Sequence, residues 1–94
     1  MNKYELIVIV DAASPQEEKE SVIKEVIDVI NKCDGKLINR KVWLDKHKFF
    51  FRIQKKTDGT YYILNFEGSQ SRMAEFRKLL RLNSKVLRFL LIRL

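Results

Sequence analysis

The chain offers one histidine and one cysteine for side-chain chemistry, His47 and Cys33. A Ser-His or Cys-His catalytic pair would therefore have to use His47. That residue lies between Lys46 and Lys48, whose positive charges disfavour the imidazolium form. Cys33 directly precedes Asp34-Gly35, which is typical of a helix end, and no local general base accompanies it. We expect His47 to be exposed or to face a phosphate, and Cys33 to be an idle, buried thiol.

Metal and cofactor sites find equally little support. A metal site would need Cys33, His47 and carboxylates to converge, and their spacing resembles no common ligand motif. The three glycines are isolated from one another, so no glycine-rich loop is present to cradle a phosphate. The sequence therefore predicts a protein that is not an enzyme and that holds no metal or cofactor.

Charge is distributed unevenly along the chain. Nineteen Lys and Arg against twelve Asp and Glu give a net charge of +7. Residues 1–35 carry four bases and eight acids, whereas residues 36–94 carry fifteen bases and four acids. A basic field of this kind attracts polyanions by neutralising phosphates and releasing their counterions. Nucleic acid is one candidate partner, and the alternative is a soluble domain with a lysine-rich surface.

Length and composition indicate a single small globular domain over residues 1–94, with 46% apolar and 33% charged residues. No segment approaches the ~20 consecutive apolar residues of a membrane span. The N-terminus runs directly into a strand-like pattern, which argues against a secretory signal. One cysteine excludes an internal disulfide and favours a reducing compartment.

The first third of the chain predicts a strand followed by a helix. Residues 4–10 are β-branched and almost wholly apolar, typical of a central strand. Ser14, Pro15 and Glu17 then form the pattern of a capping box with proline at the first helical position. An apolar repeat at helical spacing follows, with charged residues, Lys19 among them, between its members. Gly35 is expected to end the helix in the left-handed conformation.

The remaining residues predict two strands, a second helix and a last strand. Residues 36–53 are extended, and the charged segment 45–48 suggests a bulge, a bend or an exposed edge. Asp58-Gly59 predicts a hairpin turn over residues 55–60, and residues 61–66 return. Ser69 or Ser71 is the expected cap of the second helix, and residues 86–94 form the last strand.

The order β-α-β-β-α-β predicts an α+β fold, the ferredoxin-like split βαβ sandwich. In this fold four antiparallel strands carry both helices on one face, and the other face stays open. Arg88 in the last strand is hard to explain by solubility alone, whereas Arg77, Lys78 and Arg81 fit a solvated helix face. The glycine-containing signature of single-stranded RNA readers is absent from the strands. We therefore favour recognition of folded RNA by shape and phosphate contacts. Apolar residues on the open side of the first strand imply either partial burial by neighbouring strands or a protein partner.

Several segments together make the chain similar to the bacterial small-subunit ribosomal protein six family. These are Lys3-Tyr4-Glu5 before an apolar strand, Gly35-Lys36-Leu37 after the first helix, Trp43, residues 46–55 and, above all, residues 80–93. Their order and spacing cover essentially the whole chain. Departures occur at Asp45, Phe50 and Arg52, where the family usually has glycine, a small residue and proline.

The resemblance implies a structural role in the small ribosomal subunit. It implies binding to the central domain of small-subunit ribosomal RNA and pairing with small-subunit ribosomal protein eighteen. By position, the resemblance points to Lys3, Arg88 and Arg93 as RNA contacts, and we add the basic residues Lys46 and Lys48. The long second strand would contact the partner protein; its candidate residues are Trp43, Phe49, Phe51 and Arg52.

We predict from these observations a ribosomal protein that joins RNA and a basic partner protein during assembly of the small subunit. The ribosome would be cytoplasmic, and an organellar one stays open. The alternative is a non-enzymatic protein-interaction or regulatory module of the same fold, homodimeric through its open sheet face.

Overall fold

The computed structural model describes the backbone of residues 2–53 and 56–94 and the side chains of residues 2–42 and 59–94. The elements in chain order are β1 (Asn2–Asp11), α1 (Gln16–Lys32), β2 (Lys36–Ile53), β3 (Lys56–Gly68), a short 3-10 helix (Gln70–Arg72), α2 (Met73–Arg81) and β4 (Val86–Arg93).

The four strands form one antiparallel sheet in the order β2-β3-β1-β4. This order confirms the predicted ferredoxin-like fold. β1 lies at the centre between β3 and β4, which explains why its residues are apolar on both alternating sets. β2 and β4 are the two edge strands, and the expectation of an edge at β2 is confirmed.

Both helices pack on one face of the sheet and enclose the core. Alternate residues of β1, from Tyr4 to Val10, face the helices and are buried together with Leu64 and Phe66 of β3. Phe66 joins the layers, since its ring centroid lies 5.4 Å from that of Tyr4 and 5.2 Å from that of Phe76 on α2. Tyr4 is therefore a core residue.

The start of α1 differs from the predicted capping box. The helix begins at Gln16 with Pro15 as its cap residue, and no side chain caps it. The Pro15 carbonyl accepts hydrogen bonds from the amides of Glu18 and Lys19 at 3.0 and 3.1 Å. The Ser14 amide instead closes a turn on the Asp11 carbonyl at 3.1 Å. Ser14 thus belongs to the turn before the helix.

Lys19 also differs from its expected place on the outer face of α1. It is only 3% exposed. Its position three and four residues before Val22 and Ile23 places it on the same helical stripe as the apolar residues. Helical periodicity therefore decides its burial in spite of its charge.

The turn after α1 corrects the prediction for Gly35. Asp34 has the positive φ, 61°, and Gly35 does not. The glycine is needed for space, because a Cβ there would lie 2.8 Å from Ile30 Cγ2 and 2.9 Å from the Ile30 carbonyl oxygen. The Gly35 amide donates to that same carbonyl at 2.8 Å. Gly35 thus lets the chain pass close to the end of the helix.

Two further boundaries differ from the predictions. Asp58 and Gly59 lie within β3, paired with Lys48 and His47, and the hairpin narrows instead to the pair Ile53 and Lys56. The Ser69 and Ser71 hydroxyls bond to each other at 2.8 Å rather than capping α2. Serine and Asp-Gly patterns therefore indicate roughly where an element begins or ends, but they do not identify the residue that caps it or forms the turn.

Candidate nucleic-acid interface

The side of the sheet away from the helices, called here the open face, is set by the pairing of β1 with its neighbours. Residues directly opposite one another on paired strands share a face. The open face accordingly carries Lys3, Glu5, Ile7 and Ile9 of β1, Tyr61, Ile63, Asn65 and Glu67 of β3, and Arg88, Leu90 and Ile92 of β4.

The middle of the open face is apolar. Ile7 pairs with Ile63 on one side and with Leu90 on the other. Ile63 on a central strand is 7% exposed, whereas Leu90 on the edge strand is 56% exposed. The apolar surface of this face is therefore accessible mainly along β4.

Cations lie at the two ends of this apolar strip. Arg88 stands opposite Ile9, and Lys3 stands opposite Glu67; both cations are exposed. The two positions are six residues apart along β1, or roughly 20 Å at the usual rise of a strand. The predicted RNA residues Lys3 and Arg88 thus share the open face but do not form one cluster.

Arg93 lies on the opposite side of the sheet from Arg88. It pairs with Tyr4, whose ring is in the core, so its side chain starts on the helix side. Its guanidinium donates to the side-chain oxygens of Gln70 at 3.1 Å and Asn2 at 3.4 Å. Both partners are neutral amides, so the positive charge of Arg93 is held in place without being neutralised.

The remaining predicted residues belong to the far part of β2. The side chains of Lys46, Lys48, Trp43, Phe49, Phe51 and Arg52 lie outside the described residues. Their RNA and partner roles stay predictions. The backbone of this part shows register shifts between Val42 and Leu44 and between Leu44 and His47. The second shift reaches the charged segment 45–48, for which the sequence suggested a bulge, a bend or an exposed edge.

The structure places two further lysines on the open face, Lys41, which the sequence offered only as one of many candidate cations, and Lys36, which it did not offer. Lys36 and Lys41 are exposed and pair with Glu67 and Ile63, which places both on the open face. A register shift between Leu37 and Asn39 is responsible, since strict alternation from Lys36 would send Lys41 to the helix side. The number of charges along the sequence does not indicate on which face of the sheet these lysines lie.

Arg40 shows the other consequence of the same register shift. It pairs with Leu64 on the helix side and forms an ion pair with Glu20 of α1 at 3.1 Å. Asn39, on the open face, accepts a hydrogen bond from Asn65 at 2.8 Å. Neighbouring residues of β2 are thus divided between binding α1 and lining the open face.

The Cys33 environment gives that thiol no reactive character. Burial is the main cause that raises its pKa, and the nearby Glu75 carboxylate raises the pKa further. Arg72 pairs with Asp34 and donates to Glu75, and these acids raise the pKa of Arg72. At neutral pH the thiol is therefore protonated. In the described part of the chain, no three His, Cys, Asp or Glu side chains are grouped so as to hold a metal ion.

None of the helices described is long and apolar enough to cross a membrane.

Comparison with known proteins places the whole chain in one family. The family "Ribosomal protein S6" matches residues 3–93. The chain is 32% identical over 93 residues to small ribosomal subunit protein bS6 of Micrococcus luteus, covering 99% of this chain and 91% of that protein. It is 37% identical over 90 residues to the bS6 protein of Trichlorobacter lovleyi, covering 96% of this chain and 73% of that protein.

A solved structure shows the same fold. The crystal structure of 30S ribosomal protein S6 from Thermotoga maritima superposes with a TM-score of 0.87 and 23% identity, over 99% of this chain and 87% of that one. The family match in sequence and the likeness in fold thus both extend over nearly the whole chain. This chain belongs to the ribosomal protein S6 family of the small ribosomal subunit.

Proposed function

We propose that this protein is a structural, non-enzymatic component of the small ribosomal subunit that binds small-subunit ribosomal RNA through cations on its open face. The observation that carries the proposal is family membership over residues 3–93 together with exposed Arg88 and Lys3 on that face. Arg88 makes no hydrogen bond or ion pair within the described residues, so its guanidinium is free to fork onto a phosphate.

The RNA target we propose is the central domain of small-subunit ribosomal RNA. Lys36 and Lys41 extend the basic surface along β2 towards Lys46 and Lys48. Cations spread over the sheet suit a folded RNA surface better than a single phosphate pocket. Arg93, on the helix side of β4, would reach RNA that passes around the end of the strand.

The protein partner we propose is small-subunit ribosomal protein eighteen, bound along β2. Ile38 and Val42 are 49% and 50% exposed, and they lead directly into the segment that contains Trp43, Phe49, Phe51 and Arg52. Apolar side chains this exposed on an edge strand favour a protein partner.

The test is binding of a central-domain RNA fragment, with and without protein eighteen, across a salt series. We expect tight binding only with the partner present, and a loss on combining Lys3→Ala with Arg88→Ala. The matched control is Lys24→Ala with Lys32→Ala on the outer face of α1. It has the same net charge as the open-face variant, because each loses two positive charges.

Three results would contradict the proposal. Indifference to the RNA at every salt concentration, with or without the partner, would remove the RNA function. Equal losses in the α1 control and the open-face variant would show that net charge, rather than the open face, drives binding. A stable homodimer that ignores RNA would favour the interaction-module alternative.

A further inference from the structure

A groove of about 320 Å³ runs between α2 and the edge strand β4. Three arginines from two elements line it above an apolar floor: Arg77 and Arg81 of α2, Arg88 of β4, and Leu80, Val86, Leu87 and Phe89 beneath them. β4 is an edge strand, and no strand of the described backbone pairs with its outer side, where the groove opens.

The arginines of the groove have no internal counterions. Within the described residues, Arg77, Arg81 and Arg88 form no ion pair or side-chain hydrogen bond. The acids of the surrounding elements are engaged elsewhere, Glu75 with Arg72 at 2.8 Å and Glu18 with Lys85 at 3.6 Å. No acidic side chain from the described part of the chain lines the groove.

Helix stability alone does not account for this arrangement. A cation in the last turn complements the helix dipole, which explains Arg81. Arg77 lies four residues earlier on the same face, and like charges at that spacing destabilise a helix. Arg88 adds a third positive charge from a separate element, over apolar side chains that weaken solvent screening. The convergence therefore favours a bound polyanion.

We propose that this groove binds successive phosphates of an RNA strand and forms a second RNA contact beside the open face. The inference rests on the proposed function and deepens it. Arg88 belongs to both surfaces, because it starts on the open face and also lines the groove. The two surfaces together make a continuous basic path around the β4 edge, which an RNA backbone follows from sheet to helix.

Arginine suits phosphate binding in this groove better than lysine would. The guanidinium offers paired N–H donors to two phosphate oxygens, and it is weakly hydrated, so it binds phosphate beside apolar groups. The residues at issue are therefore Arg77 and Arg81, which are not part of the proposed open-face site.

The experiment combines Arg77→Gln with Arg81→Gln and measures binding of the central-domain RNA fragment, with protein eighteen, as a function of salt. Glutamine preserves helix propensity, so α2 is retained. Loss of two phosphate contacts reduces the slope of log affinity against log salt by about 1.8. The control, Lys24→Gln with Lys32→Gln, removes the same charge from α1 and leaves the slope close to that of the unmodified protein.

A second readout separates this proposal from the first. In an NMR titration with a generic RNA duplex, the side-chain Nε–H signals of Arg77 and Arg81 shift if the groove holds phosphates. If the unmodified protein binds the fragment and the salt slope of affinity is the same in the groove variant and the control, the groove proposal is overturned and the proposed function stands. If the fragment is not bound, the proposed function fails, and unshifted Arg77 and Arg81 signals overturn the groove independently.

Discussion

Cys33 illustrates how the surroundings of a potentially reactive side chain make it inert. It is 1% exposed and follows the last turn of α1, where its amide donates to the Val29 carbonyl at 3.1 Å. Desolvation and the Glu75 carboxylate both favour the protonated thiol. The same location in the sequence, next to Asp34-Gly35, predicted an idle thiol, and the structure supplies the physical cause.

The raised pKa of Cys33 predicts a specific pH dependence of stability. Above the ordinary thiol pKa of about 8.5, the unfolded chain loses the proton while the folded protein retains it. The stabilisation from Cys33 is therefore complete below that pH and is lost as pH rises through the folded-state pKa. Urea unfolding at pH 7, 8.5 and 10 should show the advantage of the unmodified protein over Cys33→Ala shrinking with pH. A constant difference would show that the thiol pKa is the same in both states.

The backbone passes so close to the end of α1 that a substitution at Gly35 should be tolerated less well than one at Gly68. Gly35→Ala places a Cβ against the Ile30 carbonyl at 2.9 Å and the Glu67 carbonyl at 3.1 Å. Backbone atoms do not move aside easily, so we expect a loss of about 1–3 kcal/mol in unfolding free energy. Gly68→Ala is the control, because its nearest neighbour is the flexible end of Met73 at 3.2 Å. Equal losses in urea titrations would refute the steric explanation.

At the scale of elements, one aromatic side chain fastens α2 to the sheet. Phe76 is fully buried and packs against Phe66 of β3. Phe76→Ala removes this anchor, and we expect a loss of about 3–5 kcal/mol. Lys78→Ala, on the exposed side of the same helix, should change stability by less than about 0.5 kcal/mol. A small loss at Phe76 would mean that the helix is held by other contacts.

At the scale of the molecule, folding brings the acidic first third against the basic remainder. Glu20 pairs with Arg40 at 3.1 Å, Glu18 with Lys85 at 3.6 Å, and Asp34 with Arg72. All three pairs are substantially exposed, so each contributes little to stability. Their main effect is on the electrostatic field of the protein, since they neutralise Glu18, Glu20 and Asp34, whereas Arg77, Arg81 and Arg88 form no ion pair within the described residues.

This charge arrangement predicts that salt acts on RNA binding far more than on folding. Raising salt from 50 to 200 mM should lower RNA affinity roughly 40-fold for three phosphate contacts, at a slope of about −0.9 per contact. The melting temperature should hold or rise slightly, because salt screens the self-repulsion of a chain with net charge +7. Calorimetry and a binding titration on one sample compare the two. A marked drop in melting temperature would show that the exposed ion pairs hold the fold together.

The sequence by itself determined the order of elements, the central place of β1 and the apolar stripe of α1. These follow from local periodicity, which each segment carries within its own residues. The sequence also determines that Arg88 and Arg93 lie on opposite faces of the sheet. They are five positions apart, and side chains of a strand alternate between the two faces. The helix caps and the hairpin turn were less predictable, because several local hydrogen-bonding arrangements compete there.

Only the tertiary structure decided which charged residues share a surface. The register shift after Leu37 sends Lys41 to the open face and Arg40 to α1. A second shift, opposite Ile9 and Val10, buries Val86 while Arg88 faces the other side. Such shifts, and the meeting of α2 with β4, depend on pairing between segments distant in sequence. No local pattern encodes them, so the candidate RNA surface emerges only when the sheet is assembled.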